Sequence, residues 1–409
     1  MSHQIQTLVN QVVSNTDPSS RAGCAVSLGS IYANVGSLSA GPVLKTIVDI
    51  LGSLANDPHP LVHFWAIYSL SQVIDAASLT FSPFTHSTLG MVVRLFLSEA
   101  HEPESGNTPA SINGRGDLPA YYAMCTTLDA IIGVLGPELA DDDRMQLLIL
   151  ALLQEFRQDN AREGVQVQAI KALQHFLMFC PNIIDLPVLV SSLRLLLSSQ
   201  RRPLKTAAIN SVYQLVQRHA PLMSKLGGNS LVEELFALLD DDPSIDGVRD
   251  SIISWLKQTV EGNPSGWIDL CQRIMLRTTA TKVAIEASQT PVPDTMGFTD
   301  EESQGLGQGG ADGVKRARNT SRWRTQLFAL ECVHRVFDTL LESGRHEHFS
   351  ASSTRQDSQS QKFLIYRISD LIKMAFTAST SPAVDIRLAG LVVLRDVIRV
   401  SKAHQIGYT

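Results

Sequence analysis

The chain has 409 residues, 44% hydrophobic and 18% charged, with a formal net charge of -6. That balance excludes a disordered chain and supplies no basic footprint for nucleic acid, so no nucleic-acid partner is expected. The length exceeds what one hydrophobic core serves, so the chain must divide into domains or extend as a repeat array.

In chain order, apolar periodicity predicts the first helices of successive pairs over 5–13, 42–54, 85–99, 144–157, 187–198 and 231–239, within about eight antiparallel pairs. The second helices share a frame in which an apolar residue, a small residue four positions on and another apolar residue four further lie on one face. Ser20, Cys24 and Leu28 follow it with a polar first member, and Val62, Ala66 and Leu70 follow it fully. So do Val165, Ala169 and Leu173; Leu204, Ala208 and Val212; and Ile386, Gly390 and Leu394. From Cys24 through Ala66 and Ala169 to Ala208 the small residues are spaced by 42, 103 and 39 positions. A period of ~40 residues is the HEAT or armadillo range. The long interval reads as two periods widened by the polar segment at 101–119.

The turns between paired helices are NDPHP (56–60), SQRRP (199–203) and DDDPS (240–244), where Asp caps and Pro at the first helical turn punctuate the chain. Val62, Trp65, Ala66, Ser69, Leu70 and Val73 share a helix face, which places Trp65 in the core rather than against a ligand. Segment 288–319 carries Pro291, Pro293 and the run GLGQGG, and 346–361 is rich in Ser and Gln; both are expected to be disordered. An amphipathic helix is expected between them at 322–341, followed by helices at 362–376 and 384–401. The fold class is thus all-α, an extended HEAT/armadillo-type solenoid. Its array fills 1–287, with disorder over 288–320, a repeat helix within 321–345, a loop at 346–361 and a terminal pair in 362–409. Gly407, Tyr408 and Thr409 follow a repeat helix without a polar cap, so the array is expected to continue beyond the chain.

Chemistry-bearing motifs are scarce. No phosphate-binding glycine loop, nucleophile elbow or zinc-protease motif occurs, so neither catalytic residues nor cofactor, metal or small-molecule substrate are expected. His346, Glu347 and His348 alternate in a Ser-rich loop without further ligands, which reads as a solvated loop. Asp141 to Asp143 and Asp240 to Asp242 stand before helices, where capping explains them better than a cation site. Arg115, Gly116 and Asp117 spell an integrin-like tripeptide in the first insertion, read as coincidence. Lys315, Arg316 and Arg318 are too few for more than a solubilising run. Arg201, Arg202 and Lys205 sit at a turn on an ordered scaffold and are the candidate partner-binding patch, suited to an acidic peptide. Cys24, Cys125, Cys180, Cys271 and Cys332 are scattered and odd in number, as in a reducing compartment. The N-terminus has no signal-peptide pattern, and the longest apolar run, 147–153, is far short of the ~20 residues of a spanning helix.

Several collinear stretches resemble one family, the large HEAT-repeat proteins that accompany the clathrin adaptor complex of the trans-Golgi network and endosomes. They are RAGCAVSLGSIYANVG (21–36), LVHFWAIYSLSQVIDAA (61–77), LDAIIGVLGPEL (128–139) and IKALQHFLMFCPNIIDLPVLVSSLRLLL (170–197). YQLVQRHA (213–220), RWRTQLFALECV (322–333) and ISDLIKMAF (368–376) continue the series. The resemblance implies a cytosolic scaffold without an active site, held indirectly on trans-Golgi and endosomal membranes, with the clathrin adaptor complex and its accessory proteins as partners. It also implies a role in adaptor localisation and endosome-to-Golgi retrieval. A nuclear transport receptor is the rival solenoid reading, distinguished by binding a small GTPase.

Overall fold

The computed structural model describes residues 7–8, 10–12, 15–100, 120–158, 163–287, 322–344 and 364–406. The expected insertions at 101–119, 288–320 and 346–361, with the short motifs they carry, lie outside the described residues. Among those described, all regular structure is helical. The chain divides into two units, Met1–Ser211 and Val212–Thr409.

In the first unit α1 (Pro18–Val35), α3 (Pro60–Ala77), α5 (Ala120–Leu135) and α7 (Glu163–Phe179) stack in chain order. Their companions α2 (Leu44–Leu54), α4 (Thr85–Ala100) and α6 (Asp143–Gln158) each pack on the second helix of the same pair. Helix α8 (Leu186–Leu197) precedes α9 (Arg202–Asp241), whose first ten residues belong to this unit.

Local chemistry sets the helix starts. Asp17 accepts the Ser20 N–H at 2.8 Å while Pro18 opens α1, and Asp142 accepts the Met145 N–H at 3.0 Å to start α6. Both are side-chain caps on otherwise unpaired amides.

The predicted frame packs as expected, with Cys24, Ala66, Ala169 and Ala208 all buried. The structure adds a member that sequence reasoning passed over: Thr127, fully buried on α5. It stands 61 positions after Ala66 and 42 before Ala169, so the long interval resolves into one widened period and one ordinary period. The excess in the widened period matches the 101–119 insertion. A hydroxyl can occupy this apolar position because its Oγ1 donates to the Ala123 carbonyl at 2.9 Å and to Ile67 of α3 at 3.2 Å. Around these small residues Leu28, Ile67, Leu70 and Phe176 are shielded from water, each worth roughly 1.5–3 kcal/mol of transfer free energy. Close approach is sharpest at Gly29, where a Cβ would lie 2.8 Å from that of Ser69.

Two expectations need correction. Trp65 is only half-buried, whereas Val62, Ala66, Ser69, Leu70 and Val73 are buried. Its ring packs edge-on to Phe64 at 5.1 Å and to Tyr68 at 5.8 Å, a surface aromatic group rather than a core residue. The helices expected separately around Ala208 and at 231–239 are one 40-residue helix, α9, which runs through Pro221. The apolar stripe continues on both sides, and tertiary packing overrides the break that Pro221 and Gly227 suggest.

The second unit holds the rest of α9, then α10 (Val248–Thr259), α11 (Pro264–Ala287), α12 (Trp323–Glu342), α13 (Ile368–Ser379) and α14 (Val384–Ile406). Helix α12 packs on both α11 and α14, and α13 packs on α14. Gly390 is the small residue of α14 because a Cβ there would lie 2.8 Å from that of Ala378 on α13 and 2.9 Å from the Ala375 carbonyl oxygen. Taken in pairs, with α9 serving two of them, the described helices make the expected HEAT-type all-α array.

The acidic run at Asp240 caps a helix, but not the one that follows it in sequence. Asp240 accepts the Thr325 N–H at 2.9 Å and the Arg324 N–H at 3.3 Å, so it closes the start of α12, whose own N-cap Arg322 makes no side-chain cap bond. One helical stretch, Ala120–Asp141, has the length and hydropathy of a membrane span, contrary to the expectation from uninterrupted apolar runs. It is 67% buried and packs between α3 and α7, as a core helix does.

Candidate functional site

Arg201, Arg202 and Lys205 lie around the start of α9. The Arg201 N–H donates to Ser199 Oγ at 3.1 Å, and the Lys205 N–H to the Arg201 carbonyl at 3.2 Å. Arg201 and Arg202 are exposed and Lys205 is half-buried, and each engages another group of the chain. Cations here oppose the positive end of the helix dipole, at a cost of about 0.3–1 kcal/mol each where exposed. Helix stability therefore does not account for three of them in one turn.

Three further features were not visible in the sequence. On the stacked helices of the first unit, Asp75 of α3, Asp129 of α5 and His175 of α7 form a polar group, with His175 Nδ1 3.0 Å from Asp129 Oδ1. Crowding by the protein pushes the Asp75 carboxyl above its ordinary range, the Asp129 charge adds to this, and His175 opposes it. Among the described residues no cluster of three or more His, Cys, Asp or Glu side chains could hold a metal ion.

The second feature is a cleft of about 630 Å³ where the turn after α9 meets the starts of α10, α12 and α14. Asp242, Asp246, Asp250 and Asp385 line it with Arg249 and Arg324. Arg324 lies over the Trp323 ring at 4.6 Å, and Arg249 lies over Phe328 at 4.9 Å and pairs with Glu331 at 3.5 Å. Asp250 and Asp385 sit in the first turns of their helices, where negative charge complements the dipole. Structure explains most of this charge.

The third is a cleft of about 420 Å³ between α9, α10 and the start of α11. Trp255 forms part of its wall, 1% exposed, with its Nε1–H donated to Ser224 Oγ at 2.7 Å. Trp267, 7% exposed, donates to Thr259 Oγ1 at 2.9 Å, and the Thr259 hydroxyl donates to the Trp255 carbonyl at 2.7 Å. Both indole N–H groups are thus satisfied internally and the rings themselves are buried, while Ser224, Lys225, Gln258 and Asn263 are the exposed polar members of the lining. Asn263 caps α11 by accepting the Gly266 N–H at 3.1 Å, and the same closeness keeps residue 266 a glycine. Lys225 is the sole charged side chain lining the cleft. The only sequence signal was the unusual pair of tryptophans flanking the GNPSG turn; the α9 wall comes from about forty residues upstream.

The five cysteines are unbonded and buried. Burial pushes the Cys271 thiol up to about 12 and Cys332 well above the ordinary thiol range, so both stay protonated and are poor nucleophiles.

Residues 363–404, essentially α13 and α14, match the family described as the Laa1/Sip1/HEATR5 HEAT repeat region. Protein SWEETIE of Arabidopsis thaliana is 23% identical over 405 residues, which cover 96% of this chain and 17% of that protein. The chain thus spans about a sixth of that relative's length. Among solved structures, an engineered protein overlaps with a TM-score of 0.46 at 14% identity, covering 96% of this chain and 98% of its own. A structure from work on a phosphorylation switch between cadherin and beta-catenin overlaps with a TM-score of 0.40 at 12% identity, covering 97% and 78%. No property of this chain follows from overlaps so low. The resemblance to the large HEAT-repeat family stands on the matched terminal pair and on the chain-long similarity to SWEETIE.

Proposed function

We propose that the chain is a non-enzymatic segment of a cytosolic HEAT-repeat scaffold in clathrin-adaptor-dependent trafficking between endosomes and the trans-Golgi network. The observation that carries the reading is the match of α13 and α14 to the Laa1/Sip1/HEATR5 repeat region, within a chain similar to one relative over nearly all its length. The partners are the adaptor complex and its accessory proteins, and membrane association runs through them. Stacked helix pairs bind extended peptides through many weak contacts, which suits a scaffold. Within it, Arg201, Arg202 and Lys205 form a docking patch for an acidic peptide, favoured by their placement against the helix dipole.

The test is proximity labelling in cells with the full-length protein, scored for adaptor and endosomal neighbours. Adaptor subunits should be enriched, and depleting the adaptor should release the protein to the cytosol. A protein that stays nuclear, or whose loss leaves cargo cycling between endosome and Golgi correctly placed, would sink the proposal.

A further inference from the structure

Two positions of the repeat frame record where one second helix is covered by the next. Counted from the small residue, they are the residue immediately after it and the residue eight after it. In the first unit Ala25, Ile67, Leu128 and Ile170 hold the nearer position, each at most 2% exposed, and Tyr32, Ile74, Leu135 and Leu177 hold the farther one, all buried. The cover is visible at Ile170 of α7, which packs on Leu204 and Ala207 at the start of α9. In α12 the small residue is Ala329; Leu330 and Phe337 are again buried, and α14 packs on that helix.

Helix α14 departs from this pattern. Counted from Gly390, the two positions are Leu391 and Ile398, and they are 52% and 49% exposed. Val384 and Leu388 are exposed on the same face of α14, and Ile372 and Phe376, four apart, are exposed on α13. Six large apolar side chains on one helix pair are a patch, unlike the single apolar residues scattered over an ordinary surface. Charge supplies a second equivalence. His334, five after Ala329, meets Asp396, six after Gly390, with Nδ1 2.6 Å from Oδ2. Arg395 stands five after Gly390 with 65% of its side chain exposed, and it pairs at 3.1 Å with the adjacent Asp396 that His334 already engages.

We infer that the outer face of α13 and α14 is the docking face for a further helix pair of the same array, whose second helix lies over Leu391 and Ile398. That helix would carry an acidic residue six positions after its own small residue, where it meets Arg395 as Asp396 meets His334. Continuity with the stacked interfaces selects the occupant: the same two positions are covered in the helices stacked before α14. A lipid surface or an unrelated apolar segment would not call for this residue-by-residue register. The inference rests on packing alone and is independent of the trafficking assignment, since adaptor partners could be absent with this face still covered.

The experiment introduces Leu391→Cys, Ile398→Cys or Leu195→Cys, the last at a 76% exposed position of α8, into the full-length protein and into this chain alone. Maleimide labelling is read by peptide mass, the five native cysteines of the chain being buried. All three sites should label at similar rates in the chain alone. In the full-length protein Leu391→Cys and Ile398→Cys should label at least about tenfold more slowly, as covered sites do, while Leu195→Cys keeps its rate. Arg395→Glu should restore part of the rate at Ile398→Cys there, and Arg395→Lys should not. Equal rates in the two proteins overturn the inference, as does protection that Arg395→Glu leaves intact. Protection already present in the chain alone also overturns it; dilution then separates a second copy, whose cover is lost, from a segment of the same chain, whose cover stays.

Discussion

The side-chain amide of Gln258 on α10 stands 3.5 Å from the main-chain carbonyl of Gln217 on α9, the carbonyl four residues before Pro221. Proline has no N–H to give that carbonyl, so Gln258 supplies from a neighbouring helix the donor that the helix itself lacks. Gln217 in turn donates its own side chain to Ser254 at 2.7 Å, which fastens the same two helices a second time. A long helix can therefore run through a proline without leaving an acceptor wholly bare.

Pro221→Ala should restore the helical bond and stabilise the chain by about 1–3 kcal/mol, within the cost of an interior proline. Gln258→Ala should cost about 0.5–1 kcal/mol in the parent and almost nothing beside Pro221→Ala. Urea denaturation of the four proteins in this double-mutant cycle measures the coupling. Independent, additive effects would show that Gln258 does not compensate for the proline.

Two glycines of α1 separate close packing from helix propensity. A Cβ at Gly23 would have nothing within 4 Å, whereas one at Gly29 would meet Ser69 of α3 at 2.8 Å. Gly23→Ala should stabilise by up to about 1 kcal/mol. Gly29→Ala should destabilise by about 1–3 kcal/mol through overpacking. Thermal melts that place both on the same side of the parent would contradict the α1 to α3 packing.

Much of this stacking was legible in the sequence because it depends on residues four apart on one helix. Cys24, Ala66, Ala169 and Ala208 revealed the period, and Thr127 escaped only because its hydroxyl looks polar until its acceptor on α3 is known. The helices around Ala208 and at 231–239 were expected apart, since local propensity carries no information about Gln258 across the interface. Trp65 shares the apolar spacing of its helix, yet its bulk leaves it at the edge of the buried stripe. The tryptophan cleft was invisible for a different reason: Lys225, Trp255 and Trp267 belong to three helices, and no periodicity links them.

Asp240 provides a sharper test of long-range capping. Its side chain is 6% exposed and serves the first amides of α12, about 85 positions away. Asp240→Ala should therefore cost about 0.5–2 kcal/mol, the range of a lost cap, and raise amide exchange at Arg324 and Thr325. Asp240→Asn keeps an acceptor and should cost less. If exchange instead rises only at α10, the helix next in sequence, the capping assignment fails.

The last prediction sets two carboxylates against each other in pH. Asp142 is held below its ordinary 3.8 chiefly by the Met145 amide it caps, so the folded chain releases its proton more readily than the unfolded chain. Its stabilising contribution is present above 3.8 and is lost as pH falls through the lowered folded value. Asp75 has the opposite sign: its folded value is raised by crowding and by the Asp129 charge, so stability is lost as pH climbs from 3.8 through that raised value. Asp75→Asn should consequently melt above the parent at pH 7, and the gap should close as the pH is lowered toward 3.8. Asp142→Asn should melt below the parent at pH 7, and its deficit should shrink only at more acid pH, below 3.8. Melting curves recorded across this range for both variants decide the matter, because a loss of stability on Asp75→Asn at neutral pH would mean that the attraction of its charge to His175 outweighs the crowding of that charge.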